Sequence, residues 1–388
     1  MSSGTTVIHS ARLVRPAGTV DDAWVRFEGD RIAAVGTGGD WADPSASAGA
    51  PDQVTDAAGR LLAPGFIDLH CHGAGGAAAD EGPEAVERIL AVHSAHGTTR
   101  TVLSLVTASI DGLVSQVRML AEVAARDPRV LGSHLEGPFL DHEFRGAHDP
   151  ALLRAADAAS VDRLLEAAAG TLRQVTIAPE HDGASDAIAR FVEAGVRVAV
   201  GHTGADFETA LAAFEAGASL LTHAFNGMRG IHHRMPGPVV AAMHAPHVTL
   251  ELINDGVHVH PDVVRLAFAG APGRVALITD AMAATGSADG RYILGSLEVD
   301  VLDGVARLVD GGSIAGSTLT LDVALQRAVA VSGLPLETAV AALTEVPAAA
   351  IGRAHDLGRL DVGYAADAVL LSDDLAVEQV WGAGVRLS

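Results

Sequence analysis

Leu61-Leu62-Ala63-Pro64-Gly65-Phe66-Ile67-Asp68-Leu69-His70-Cys71-His72-Gly73 is a short apolar run that ends in two histidines one residue apart. Successive side chains of a strand point to opposite faces, so positions i and i+2 share a face. His70 and His72 therefore stand side by side at the end of a buried strand, placed to hold one metal ion. Surface histidines reach this spacing by chance, so the reading depends on matching residues at the ends of later strands.

Beyond Pro64, apolar runs of strand length alternate with Ala/Leu-rich helical stretches, the pattern of repeated βα units. Strands are expected at 65–69, 99–105, 130–135, 173–178, 196–200, 218–222, 248–253 and 274–279, with helices between them at 83–96, 111–125, 157–169, 184–194, 206–216 and 261–269. Eight such units predict an α/β fold, a (β/α)8 TIM-type barrel. Ahead of it, 7–14 and 23–36 read as strands, the second span turning at Glu28-Gly29-Asp30. Residues 37–53 read as a loop, and a strand pair turning at Asp56–Gly59 is expected near 53–62. Short β segments return at 291–312, as an insertion near the barrel mouth, followed by helices at 319–332 and 335–343 and by strands and turns over 358–387. Neither terminal β segment has enough apolar surface to fold alone. The domains expected are thus a small β-sandwich built from both chain termini, 1–62 plus 350–388, and a catalytic barrel over 63–349.

The 388 residues are 49% apolar but only 4% aromatic, so the core must be aliphatic and alanine-rich. A formal charge of -22 argues against a nucleic-acid or anionic-membrane partner, although a small anion feels the local pocket instead. The chain contains no lysine, which excludes a Schiff base, a phosphate-loop lysine and a carboxylated lysine bridging two metals. Cys71 is the only cysteine, so neither an intrachain disulfide nor a thiolate cluster can form; it reads as a small buried hydrophobe. No signal peptide or membrane span is evident, and a cytoplasmic enzyme is expected.

Active sites of such barrels are built at the C-terminal strand ends. There the chain offers His70 and His72 after strand one, Glu136 after strand three, His202 after five, His223 after six and Asp280 after eight. Imidazole and carboxylate donors suit zinc or a comparable divalent ion. Asp280 could cap a helix or carry the proton of an activated water; His148, in the loop after strand three, could polarise a carbonyl. The long segment 222–234 concentrates donors, and His232, His233 and Arg234 read equally as a solvated loop or as contacts for hydroxyls and a phosphate. His93, His96, His9 and His355 read as ordinary packed or solvated side chains.

With these residues placed, the chain resembles the N-acetylglucosamine-6-phosphate deacetylase family of the amidohydrolase superfamily. The resemblance rests on Ala63–Asp68 leading to His70 and His72, on His134-Leu135-Glu136-Gly137-Pro138-Phe139, Gly146-Ala147-His148, Gly201-His202-Thr203 and Thr222-His223-Ala224-Phe225-Asn226. Asp255-Gly256-Val257-His258, Thr279-Asp280-Ala281, Ala315-Gly316-Ser317 and Gly363–Ala368 complete it. It implies a divalent metal, one or two ions per subunit, with zinc first and iron, cobalt or manganese as alternatives. Glu136, His202 and His223 would hold the principal ion, and His70 and His72 a second, with Glu136 bridging. Asp280 is then the acid/base and His148 the contact to the acetyl carbonyl; Ala147, Asn226, Gly227, Arg234, His258, Ile314, Ala315 and Gly316 line the sugar-phosphate pocket. A homodimer whose phosphate site is completed across the interface is implied as well. Arg145 stands where the family pattern leads one to expect lysine, and the two are not equivalent donors. The rival reading is another metal-dependent amidohydrolase, acting on an N-acyl amino acid or a related sugar, or a deaminase.

Overall fold

The computed structural model describes residues 4–42 and 50–388. Much of the loop read at 37–53 lies outside the described residues, as does the start of the N-terminal segment. The chain forms two compact units, one holding the sequence up to Ile67 with His93–Arg100 and Leu321–Ser388, the other Asp68–Val92 and Thr101–Thr320.

Eight parallel strands neighbour one another in chain order: Phe66–Cys71, Thr98–Val106, Val130–Glu136, Leu172–Ile177, Arg197–Val200, Leu220–Leu221, Thr249–Ile253 and Val275–Ile278. They are almost wholly buried, as strands covered on both faces must be, which is why they read as continuous apolar runs. Three of the helices between them start on a serine or aspartate cap: Ser109 accepts from Gly112 N, Asp157 from Ser160 N and Asp206 from Thr209 N. Gly195 and Gly217, at φ 78° and 109°, supply the left-handed stop after two of them. The helix Gly237–His244 has no counterpart among the helices named from sequence. It opens on Gly-Pro and is apolar nearly all round, so it carries no polar–apolar period to read.

The ring closes between the last strand and the first. Asp280 N donates to His70 O and His72 N to Ala281 O, both at 2.8 Å. Below them the buried Asp68 accepts from Thr279 Oγ1 at 2.5 Å and from the backbone N–H groups of Thr279 and His70. Burial pushes its carboxyl up to about 6 despite these donors. Beyond the eighth strand, Gly290–Leu294, Leu297–Leu302 and Val305–Leu308 make an antiparallel three-stranded sheet. Its inward side chains Leu294, Val299, Val301 and Ala306 cluster with Met282, Ala284 and Ala315.

In the other unit, strands from both ends of the chain form one eight-stranded sheet around a shared core that includes Ile8, Leu13, Val25, Phe27, Leu62, Leu370 and Trp381. Ala368–Leu371 pairs antiparallel with Leu61–Pro64, which brings the two termini into one structure. The strand pair expected near 53–62 is not a hairpin. Gln53–Asp56 and Leu61–Pro64 both pair in parallel with Thr5–Arg15, along its first and second halves. An 11-residue strand is long enough to seat two short ones end to end, and its left-handed Ser10 (φ 55°) separates the two registers. The same strand runs on through a tight turn into Gly18–Glu28, five residues earlier than the apolar alternation indicated, because Asp21 and Asp22 interrupt that alternation. Among the described residues no helix is long and apolar enough to cross a membrane.

Asp367 belongs to the closing Gly363–Ala368 segment and has a structural use. It takes Arg100 in a two-point ion pair, Nε to Oδ2 at 2.6 Å and a terminal nitrogen to Oδ1 at 3.0 Å, both side chains under 10% exposed. It also accepts from Ala383 N at 2.7 Å. Removing one partner of such a pair strands a buried charge. Asp367→Ala is therefore expected to lower unfolding stability by about 3–5 kcal/mol, measured by denaturant titration; a loss under about 1 kcal/mol would mark the pair as no better than a surface one.

Candidate active site

Five of the eight strands end in side chains that turn inward to one point. Glu136 lies between two pairs of imidazoles and is 4% exposed. Its Oε1 is 3.0 Å from His202 Nε2 and 3.1 Å from His223 Nε2, and those two nitrogens are 3.0 Å apart. Its Oε2 is 3.0 Å from His72 Nε2 and 3.5 Å from His70 Nε2, themselves 3.1 Å apart. Asp280 Oδ1 completes the second group, 3.4 and 3.3 Å from His70 and His72.

The far nitrogen of each ring says what the near one can do. His202 Nδ1 faces Phe144 O at 2.9 Å and His223 Nδ1 faces Asn226 O at 3.2 Å. A carbonyl only accepts, so both Nδ1 atoms carry the hydrogen and both Nε2 lone pairs point at Oε1 of Glu136. Three electron-rich atoms about 3 Å apart repel one another unless a cation lies among them, and these are the donors expected of a zinc-type ion. His70 follows the same rule, its Nδ1 lying 3.5 Å from the buried Glu251 carboxylate, which Gln174 Nε2 anchors at 2.7 Å. His72 Nδ1 is buried with no partner.

His148 is of the other type. Thr107 N donates to its Nδ1, and Thr107 Oγ1 is 2.9 Å from the same atom, which places the hydrogen on Nε2. Burial and the neighbouring histidines hold its pKa down to about 4, against the pull of Glu136. It is thus a neutral hydrogen-bond donor, its Nε2 3.5 Å from Glu136 Oε2 and aimed into the same cavity. His134 is neutral too, since burial lowers it well below the usual range; it is spent on Ser104 and Thr176 inside the barrel.

Charge balance around Glu136 is set by opposition. Burial alone would raise its pKa, but the charge on His70, first, and the imidazoles of His148, His202 and His223 around it hold it well below the carboxylate range. Asp280 is held down to about 2, the charge on His70 and the contact from His72 outweighing burial. Burial would lower His72, but Asp280 and Glu136 raise it to about 9, and His70 is raised as well.

The backbone here is strained. His202, His223 and Asp280 adopt φ of 47°, 26° and 50°, a left-handed conformation costly for side chains with a Cβ. It lets a strand stop and its next side chain swing toward the axis, and it is held by bonds such as Asp141 N to His202 O and Asn226 N to His223 O. Gly227 fits between the two rings: a Cβ there would lie 3.0 Å from His202 Nδ1 and 3.5 Å from His223 Cε1.

A cavity of about 310 Å³ opens over this centre. His72, Glu136, His202, His223, Asp280 and His148 line it, as do Ala147, Asn226, Gly227, His258, Ile314 and Gly316. The buried His70 lies beneath them. Ala315 is fully buried in the core of the small sheet, and Arg234 is exposed on the 228–236 loop, away from the lining. Sequence reasoning passed over Thr107 and Glu251, whose roles exist only through the rings they touch. Val106, Ile253, Leu294 and Ser313 also line the cavity and were likewise passed over, because apolar and small residues carry no chemical signal.

A parallel (β/α)8 barrel with imidazole and carboxylate donors converging at the C-terminal strand ends defines a metal-dependent hydrolase of the amidohydrolase type. Residues 61–387 match the model of the amidohydrolase family. The chain is 38% identical over 382 residues to an N-acetylgalactosamine-6-phosphate deacetylase of Escherichia coli O157:H7, covering 97% of this chain and 98% of that one. It is 38% identical over 331 residues to an N-acetylglucosamine-6-phosphate deacetylase of Vibrio furnissii, covering 83% and 82%. A solved structure from Mycobacterium smegmatis, an aspartate-to-alanine variant of N-acetyl-D-glucosamine-6-phosphate deacetylase in complex with N-acetyl-D-glucosamine-6-phosphate, superposes with a TM-score of 0.91 at 42% identity and 99% coverage of both chains. The chain belongs to the amidohydrolase family, in the branch that holds these deacetylases.

Because His70 and His72 hold protons in the cation-free protein, a cation entering there must displace them. Uptake of Zn²⁺ by the cation-free protein is expected to strengthen about tenfold per pH unit per proton released, up to the value near 9 of His72. Calorimetric titration at pH 6 and pH 8, in buffers of different ionisation enthalpy, checks this. Uptake that is independent of pH and releases no protons contradicts it.

Proposed function

We propose that this chain hydrolyses the N-acetyl group of N-acetyl-D-glucosamine 6-phosphate, giving D-glucosamine 6-phosphate and acetate. The observation that carries the reading is Glu136 set between two imidazole pairs, with a proton carrier, Asp280, and a neutral donor, His148, on the same cavity. Relatives so named cover 83% and 99% of the chain.

Glu136, His202 and His223 would hold one divalent cation and His70 with His72 a second, Glu136 bridging; zinc fits the nitrogen-rich donor set best. When bound, the cation supplies Lewis acidity and makes water acidic enough to give up a proton near neutrality. Asp280, whose pKa is held down beside His70 and His72, would take that proton as the water oxygen bonds to the amide carbon. His148 Nε2–H donates to the carbonyl oxygen as negative charge builds on it. Asp280 then returns the proton to the sugar nitrogen while the C–N bond breaks. Asn226 and His258, which line the cavity, would hold the sugar, and Asp255 fixes the ring of His258 through Nδ1 at 2.7 Å.

Among the described residues the cavity lining includes no arginine. A sugar phosphate therefore needs a cation from beyond it, and Arg234 stands on an exposed loop between Ile231 and Met235, which are 46% and 60% exposed. A homodimer that covers those apolar side chains and brings the guanidinium to a phosphate accounts for both features, in a cytoplasmic enzyme. A second reading, hydrolysis of the C4 epimer N-acetylgalactosamine 6-phosphate, is favoured by the relative that matches 97% of this chain. Acetate release from both epimers, with and without prior chelation, separates the two and tests the reaction itself.

Asp280→Asn is expected to keep its metal content and lose about 10²–10⁴-fold in kcat; near-parental turnover would remove Asp280 from the mechanism. Arg234→Ala is expected to raise KM for the phosphorylated sugar about tenfold or more, leaving hydrolysis of the unphosphorylated sugar as it was. An unchanged preference for the phosphorylated substrate would take Arg234 out of the phosphate site.

A further inference from the structure

Besides its imidazoles and acids the cavity has apolar lining, and part of that lining stands next to Glu136. Val106 ends the second barrel strand in direct register with Glu136 on the third. Paired residues of adjacent strands project to the same face, so the Val106 isopropyl group stands beside the carboxylate at the centre. Its chain neighbour Thr107 is the residue that orients His148. Across from it, the turn that follows the first strand of the small sheet packs down: a Cβ on Gly295 would meet Val106 Cγ2 at 2.7 Å. Leu294, 7% exposed, sits in the apolar cluster against which Val106 and Ala147 pack, and Ser296 Oγ ties the turn to Asp149 at 2.9 Å.

We propose that Val106, Leu294 and Ala147 form the recess that takes the acyl group and limits it to about the size of acetyl. The inference rests on the amide-hydrolase reading and names its acyl specificity. In that reading the carbonyl oxygen is held by His148 Nε2 beside Glu136. The acyl carbon chain is bonded to the carbonyl carbon, about 1.5 Å away; among the apolar residues that line the cavity, this trio packs as one cluster, with Val106 in register with Glu136. A methyl group leaves water for a site with no polar group to satisfy, which is favourable. A longer chain must push Leu294 against the small sheet, or the turn off Val106, and a packed wall of this kind yields little. The three-stranded sheet thereby acquires a use: its turn carries one wall of the recess to the reacting centre.

The test compares kcat/KM on N-formyl, N-acetyl, N-propionyl and N-butyryl glucosamine 6-phosphate. The parent protein is expected to favour acetyl over propionyl by about 10–100-fold. Leu294→Ala should cut that ratio about tenfold or more and admit butyryl. Val106→Ile, which narrows the recess and leaves the sheet turn in place, should instead raise the formyl-to-acetyl ratio several-fold. General damage to the fold lowers all four substrates together and moves neither ratio, and the narrowing variant stands alone should the widening one misfold. Ratios within twofold of the parent's in the folded variants overturn the proposal. A parent protein that releases no acid from any of the four overturns the amide-hydrolase reading itself, whereas an active parent with flat ratios overturns only the recess.

Discussion

A single buried carboxylate sets the terms for the rest of the barrel. Each oxygen of Glu136 serves a different pair of imidazoles, His202 and His223 on one side, His70 and His72 on the other. A carboxylate at 4% exposure is costly unless positive charge or hydrogen-bond donors surround it. Meeting that demand requires strands one, three, five and six to end at one level, which only a closed ring of matched strands provides. Closure itself is local to the same place, through Asp68 on Thr279 and the Asp280-to-His70 backbone bond. Fold and site are thus joined at the mouth.

The histidines are alike in sequence and divided by their surroundings. Carbonyl oxygens behind His202 and His223 leave lone pairs facing the centre, whereas the Thr107 N–H behind His148 leaves a hydrogen there. Rings that present a lone pair and the ring that presents a hydrogen are sorted by the groups that touch the outer nitrogen of each. Gly227 belongs to the same arrangement, since any side chain on it would meet the rings of His202 and His223. The strain at His202, His223 and Asp280 has the same origin: a relaxed strand end would carry these side chains past the point where they meet.

Much of this was legible before any coordinates. All eight barrel strands could be read as apolar runs because both faces are covered, and their polar ends stood out against that background. What escaped reading was whatever depends on partners distant in the chain. The parallel pairing of Gln53–Asp56 and Leu61–Pro64 with one long strand looks locally like a hairpin, because turn residues separate two short strands in either case. Helix Gly237–His244 is buried nearly all round and shows no period. Thr107, Glu251 and Asp68 are ordinary residues until the fold sets them against His148, His70 and Thr279. The resemblance to known deacetylases supplied roles for individual residues that spacing and composition left open.

The acidity of the chain gives the last constraint. With a formal charge of -22 the average surface repels a sugar phosphate, so attraction must be local. Inside the cavity the basic groups are imidazoles: His72, His202 and His223 face Glu136, His148 is a neutral donor, and His258 is held in place and raised in pKa by Asp255 against the pull of burial. A dianionic phosphate is poorly matched to partly charged rings and well matched to a guanidinium, which stays charged and offers two parallel donors. In a chain without lysine that guanidinium has to be arginine. No arginine is among the described residues that line the cavity, and Arg234 stands exposed on the 228–236 loop, which is why it is the residue proposed above for the phosphate.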